Sequence, residues 1–328
     1  MSERATIQQV AEHAGVSIGT VSRVLNSRAG VSQATRERVR ASIRALAFRP
    51  DHVARALSKA PLRVGLSLAS GTRRLTPFFM LFLEHLIARL QQDGYRFEEV
   101  PAGRDGLPEW LPNGVILHGA HEDDPRLAYL RDQGVPFVLV GRAPGVRWVA
   151  PDDHDGGLQA TRHLLALGHR EILHLGGLMG HQAFQDRYGG YLQALDEAGI
   201  GPRRDWLLDG GFTTLGGYRA VRRAFESGCA CTAVFAASDE MALGAIAALE
   251  DLGLTVPLDV SVVGFDDLPE VADALRIPEG LTSVRQDIAH ITATAVTLLQ
   301  EGLNGAPIRS ETVPVQLMAR GTTARRRR

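Results

Sequence analysis

The sequence predicts an all-α head over residues 1–49, a short linking helix within 50–61, and an α/β body over 62–328 made of two doubly wound, parallel-sheet lobes. Three observations carry this. Two short helix patterns flank a glycine near the N-terminus. Charge is split along the chain: residues 1–60 hold ten Lys and Arg against four Asp and Glu, and the remainder holds 26 against 33. From Arg63 the texture changes, and short apolar runs alternate with helical periods.

The first helix opens at Thr6 and Gln9, a T-x-x-Q capping box. Ile7, Val10, Ala11 and Ala14 follow at i, i+3, i+4 and i+7, which is one helical face. Gly15 can take a positive φ, and Ser17 can cap the next helix. Val21, Val24 and Leu25 give that helix a buried stripe, leaving Ile18, Gly19, Ser22 and Arg23 facing outward. A helix–turn–helix presents such a face to the DNA major groove. A third helix from Ser32 keeps Val39, Ile43 and Leu46 on one stripe and exposes Arg36, Arg40 and Arg44. Ser32 and Thr35 at its start suit phosphate contacts. Lys59 is the only lysine, so the positive charge is arginine, suited to bidentate phosphate and guanine contacts. A basic head on an acidic body is the pattern of a polyanion-binding module.

Asp51–Ser58 reads as a helix ended by Pro61, too short to be stable alone in water. The body then shows strands at 64–68, 114–117, 136–140, 171–175, 233–236 and 260–264. Helices at 78–92, 124–133, 156–167, 187–198 and 239–252 separate them. This alternation means parallel sheets with helices on both faces. Ligands of such sheets bind beyond the carboxyl ends of the strands. Ser238, Asp239, Asp266, Asp267 and Arg187 stand at such ends, with Phe212 and Phe265 as candidate rings for a sugar face; Asp239 can also cap a helix and Asp267 hold a turn.

Other classes fit poorly. At 328 residues, 45% hydrophobic and 22% charged, the chain suits a soluble protein of two or three domains. Its apolar runs are strand-length, so no membrane span is expected, and the polar N-terminus argues against a signal peptide and for the cytoplasm. Cys229 and Cys231 read as reduced packing residues rather than a disulfide or zinc site. There is no G-x-G-x-x-G after the first strand, P-loop, G-x-S-x-G or H-E-x-x-H, so neither an enzyme nor a cofactor is expected. Arg325–Arg328 reads as a solvated tail.

The stretch AEHAGVSIGTVSRVLN, residues 11–26, resembles the opening of the lac repressor/galactose repressor family of bacterial transcription regulators. The body is similar to the same family at 167–170, 187–191, 236–244, 256–267, 281–286 and 320–323, in the family's order. The resemblance implies a periplasmic-binding-protein-like body, with lobe 1 about 62–155 and 286–316 and lobe 2 about 156–285 and 317–328. It implies a repressor that binds a pseudo-palindromic operator as a homodimer. A small polar effector, a sugar or sugar derivative, would sit between the lobes and control operator affinity. The expected DNA-facing residues are Thr6, Ser17, Ile18, Gly19, Thr20, Ser22, Arg23, Asn26, Ser32, Thr35 and Arg36, with Ala54 and the wedge Leu57 in a hinge helix that orders on DNA. Arg187 and Asp266 are the leading effector contacts, with Ser238, Asp239, Phe212 and Gln286 beside them. Asp51, Thr76 and His154 each stand where the family usually has asparagine, which points to an atypical effector or hinge contact. The alternative is a solute-binding module without a DNA role, which would leave residues 1–60 unexplained.

Overall fold

The structure is a computed structural model that describes residues 6–25, 30–46, 61–69, 76–119, 124–177, 182–269, 271 and 277–327. Asn26 and the hinge segment with Ala54 and Leu57 lie outside these residues.

The head contains α1 (Ile7–Ala14), α2 (Ile18–Leu25) and α3 (Gln33–Ala45). The capping box forms as expected: Gln9 N–H donates to Thr6 Oγ1 at 3.3 Å, and Thr6 N–H to Gln9 Oε1 at 2.7 Å. Gly15 ends α1 at φ 63°, a conformation other residues adopt at a steric cost. Val10, Val21 and Val39, one from each helix, form the fully buried centre of the head. A bond of 3.0 Å between His13 Nδ1 and Ser42 Oγ ties α1 to α3.

In chain order the body continues β1 (Arg63–Leu68), α4 (Pro77–Gln92), β2 (Arg96–Glu99), β3 (Gly114–His118), α5 (Pro125–Asp132), β4 (Phe137–Val140), β5 (Trp148–Pro151) and α6 (Asp153–Ala166). Next come β6 (Ile172–Gly176), α7 (Gln182–Glu197), β7 (Leu207–Asp209), α8 (Thr214–Glu226), β8 (Ala233–Ala236) and α9 (Asp239–Asp251). The chain finishes with β9 (Ser261–Asp266), β10 (Thr282–Gln286), α10 (Ile288–Leu303), β11 (Glu311–Val313) and β12 (Val315–Met318). Two six-stranded sheets result, ordered β11-β5-β4-β3-β1-β2 and β12-β10-β9-β8-β6-β7. In the second sheet only β12 runs antiparallel, against β10. The α/β fold expected from the alternation is therefore present.

Contacts along the chain separate two compact units. One comprises Met1–Arg73, Leu86–Trp148 and Ala293–Ser310; the other Arg74–His85, Val149–Thr292 and Glu311–Arg328. In the first, Arg126 is 1% exposed at the carboxyl ends of β1 and β3. It donates to both oxygens of Asp124 at 2.9 and 2.6 Å and to the Ser67 carbonyl at 2.7 Å. A buried arginine survives because every contact is charge-assisted or to a carbonyl.

Two expectations need correction. Arg326 is not part of a solvated tail: its N–H donates to the Leu167 carbonyl at 2.9 Å, and its guanidinium pairs with Glu171 at 2.7 Å. The His169 ring adds a bond of 3.1 Å to the Ala324 carbonyl, so Ala324 and Arg326 are fastened to the second unit. Helix α7 begins at Gln182, five residues before the expected start at 187.

Candidate functional site

All the candidate effector residues belong to the second unit. Their frame is the crossing of α6 and α7. A Cβ on Gly157 would collide with the Arg187 carbonyl oxygen, and one on Gly190 with the His154 carbonyl oxygen. The two helices meet backbone to backbone, which only glycine permits. This contact brings Asp153, at the start of α6, to Arg187 on α7.

Arg187 is buried and held through Nε and Nη1. Its Nε donates to Asp153 Oδ1 at 2.8 Å, and its Nη1 to the Ala237 carbonyl at 2.5 Å. Nη1 is also 3.5 Å from Asp266 Oδ1. The guanidinium lies 3.6 Å over the Phe265 ring, a cation–π contact. Phe265 is 0% exposed, so it is the floor under Arg187 and not a ring for a ligand to stack on, which corrects the expectation from sequence.

Asp266 receives the Gln286 Nε2 amide on Oδ1 at 2.5 Å. Burial raises its carboxyl well above the ordinary value, with Arg187 opposing. The geometry explains why the opposition is incomplete: the one guanidinium approaches Asp153 more closely, at 2.8 Å, than Asp266, at 3.5 Å. Gln286 Oε1 is buried and has no hydrogen-bond partner among the described residues. An unsatisfied buried acceptor costs free energy that an incoming donor would recover.

The backbone here is strained. Among the described residues, Phe212, Asp266, Asp267 and Glu279 are the non-glycine residues with positive φ, and the first three lie at strand ends around the site, at 52°, 108° and 56°. Such outliers concentrate where function over-determines the backbone.

Of the expected effector set, the structure joins Arg187, Asp266 and Gln286 in direct contact. Asp239 is 1% exposed and both its oxygens are engaged by the protein, Oδ1 by Ser283 and Oδ2 by the Leu268 N–H. Ser238 spends its hydroxyl capping α9, accepting from Met241 N–H at 3.2 Å. Phe212 rests its ring on Gly177, beyond the end of β6, where a Cβ would overlap it. Asp153-His154 is noted from sequence only as a position near the family's cleft and Ser283 not at all; their partners lie 34 and 44 residues away, beyond any local signal.

The head presents the other surface. Ser17, Gly19 and Arg23 are exposed, Ile18 is 46% exposed, and Thr20 and Ser22 are half-buried. Ser17 Oγ meets Thr20 Oγ1 at 2.9 Å, and Ser32 Oγ meets Thr35 Oγ1 at 2.9 Å, so two helix starts carry paired hydroxyls. Arg36 directs Nε to the Val31 carbonyl at 3.2 Å.

Known proteins share both parts. Bacterial regulatory proteins of the lacI family match residues 6–51, and the periplasmic binding protein-like domain matches residues 161–323. The HTH-type transcriptional repressor PurR of Erwinia tasmaniensis is 32% identical over 325 residues, covering 95% of this chain and 94% of its own. The chain belongs to the lacI family of bacterial regulatory proteins. Among solved structures of this family, the transcriptional regulator CelR–cellobiose complex superposes with a TM-score of 0.71 at 32% identity, over 97% of this chain and 100% of that one. The lac repressor dimer bound to operator and the anti-inducer ONPF gives a TM-score of 0.71 at 27% identity, over 98% and 100%. These lacI-family relatives are transcriptional regulators rather than enzymes. No described helix is long and apolar enough to cross a membrane.

Proposed function

We propose that this lacI-family regulator is a repressor that binds a pseudo-palindromic operator as a homodimer and is controlled by a small polar effector, a sugar or sugar derivative, held at the strand ends of the second unit. The observation that carries the effector reading is the buried set Arg187, Asp266 and Gln286. It offers a guanidinium, a carboxyl and an amide oxygen awaiting a donor within one contact network. Hydroxyl groups both donate and accept, so a polyhydroxylated ligand satisfies all three. The likeness to a CelR–cellobiose complex supports a carbohydrate, and the likeness to an operator-bound lac repressor dimer supports the DNA and subunit arrangement. Ser238, Asp239 and Phe212 frame the site in this reading, and Ala54 and Leu57 belong to the proposed operator contacts.

The test starts from a thermal-shift screen of carbohydrates, since a ligand of the native state raises its stability by mass action. Asp266→Ala should bind operator like the parent and lose its response to the sugar found. Equal sugar affinity of parent and variant by calorimetry would move the site elsewhere.

Arg23 is the expected base reader, exposed on α2 and able to bind guanine O6 and N7 bidentately. Arg23→Ala should lose about 1–3 kcal/mol of discrimination at one operator position while keeping the salt-dependent, nonspecific component. Fluorescence anisotropy against a set of single-base operator variants reads this directly. An unchanged preference at every position would dismiss Arg23 as a reader.

A further inference from the structure

The turn that carries Asp266 is gripped by the side chains around it. Two successive L-residues, Asp266 at φ 108° and Asp267 at φ 56°, stand in the left-handed region where β9 ends. Asp267 Oδ1 accepts from Arg320 Nη1 at 2.5 Å; Oδ2 accepts from Arg285 Nε at 2.7 Å and Arg320 Nη2 at 3.1 Å. Against the opposing effect of burial, these two guanidiniums hold the Asp267 carboxyl below the usual carboxylate range. The Asp267 N–H donates to Ser283 Oγ at 3.1 Å. Ser283 in turn donates to Asp239 Oδ1 at 2.5 Å, and Asp239 Oδ2 accepts the Leu268 N–H at 2.7 Å. Residues 267 and 268 are thus pinned by their main chain and by the Asp267 carboxylate.

The anchors are themselves fixed. Ser283 and Arg285 alternate along β10, which pairs in parallel with β9. Arg320 follows β12; its N–H donates to Thr282 Oγ1 at 2.9 Å and its Nη1 to the Leu281 carbonyl at 2.7 Å. Gly321 lies so close to the Pro278 carbonyl that a Cβ there would overlap it.

We propose that Asp267, held by Arg285 and Arg320, together with Asp239 acting through Ser283, are positioning residues that lock the left-handed turn and so aim the Asp266 carboxyl at Gln286 and the effector. This rests on the reading of Asp266 as an effector contact. It also removes Asp239 from the ligand contacts, because both its oxygens already serve the turn.

Full-length Arg320→Gln is the test variant, since among the described residues Arg320 bonds to Asp267 and not to Arg187, Asp266 or Gln286. With cellobiose as the probe in calorimetry, its affinity should fall at least tenfold while operator affinity without sugar is retained. Arg320→Lys, which keeps a single charge, should recover part of the loss. Unchanged cellobiose affinity in Arg320→Gln, even with a lower Tm, would reduce the grip to ordinary structural support and overturn the proposal. A second measurement needs no ligand: the crystal structure of Arg320→Gln/Ser283→Ala. There the 2.5 Å contact between Gln286 Nε2 and Asp266 should be broken. Persistence of that contact and of both positive φ values would overturn the proposal by itself. A contact broken in the double variant, together with a parent that ignores every sugar, would instead reject the effector reading and leave the positioning intact.

Discussion

Arg187→Leu should destabilise the protein by about 3–5 kcal/mol, the usual cost of breaking a buried ion pair from one side. The side chains of Arg187, Asp153 and Asp266 are 6%, 7% and 7% exposed. The variant removes the cation 2.8 Å from Asp153, the bond to the Ala237 carbonyl and the stack on Phe265 together. Most of the cost falls on Asp153, because Asp266 is already shifted towards its neutral form by burial. Asp153→Asn added to Arg187→Leu should therefore recover part of the loss, a non-additivity expected of groups in contact. Urea unfolding of the parent, the two single variants and the double variant measures the cycle. Strict additivity would mean that the pair is not energetically coupled.

His174 should make stability fall as the pH drops below about 6.5. The residue is wholly buried in β6, stacked among Phe184, Tyr188 and Tyr191 and tilted against Phe235 at centroid distances from 4.8 to 6.2 Å. Its Nδ1 lies 3.2 Å from the Phe235 carbonyl, and its Nε2 has no partner among the described residues. Burial pushes the imidazole down to about 3, the nearby Arg187 adds to the shift, and the Phe235 carbonyl opposes it. The folded pKa is depressed, so between about 6.5 and about 3 the unfolded chain binds a proton that the native state refuses. Stability then falls with decreasing pH by about 1.4 kcal/mol per unit. Asp239 and Asp266 act with the opposite sign: burial raises both, so their contribution falls as the pH rises out of the carboxylate range. His174→Phe isolates the histidine, because phenylalanine suits the aromatic surroundings and has no nitrogen to leave unsatisfied. Relative to the parent, it should gain about 2 kcal/mol between pH 6.5 and pH 5. Parallel stability–pH curves for the two proteins would contradict a neutral, desolvated imidazole.

What could be read from the sequence was local or periodic. The capping box at Thr6 and Gln9 and the stripe through Val10 and Ala14 lie within one helix, so sequence spacing is enough to define them. Asp266 is legible as a candidate because it stands at the end of a recognisable strand; Arg187, which lies within α7, is legible only through the resemblance to the family. Helix α8 has no counterpart among the helices expected from sequence, although Gly216 and Gly217 in its first turn are not helix breakers here. They are instead close-approach residues: added Cβ atoms would strike the Gly210 and Met241 carbonyl oxygens. Phe265 was misjudged because a strand-end aromatic carries no sequence mark of which side it faces. The Asp267–Arg320 grip joins residues 53 apart, and the register between β9 and β10 that supports it exists only once the sheet has formed.

The backbone contact at Gly157 and Gly190 limits how this protein's descendants can diverge. At this crossing no side chain stands between Gly157 and the Arg187 carbonyl or between Gly190 and the His154 carbonyl, so the span from Asp153 to Arg187 is not tuned by trimming a residue there. A larger residue at either glycine forces the helices apart and shifts both members of the ion pair at once. Under the proposed effector reading, a changed specificity comes from the periphery of this pair, at positions such as His154 and Phe212. Substitutions there reshape the outline of the molecule accepted, and the spacing of Asp153 and Arg187 stays as the two glycines set it.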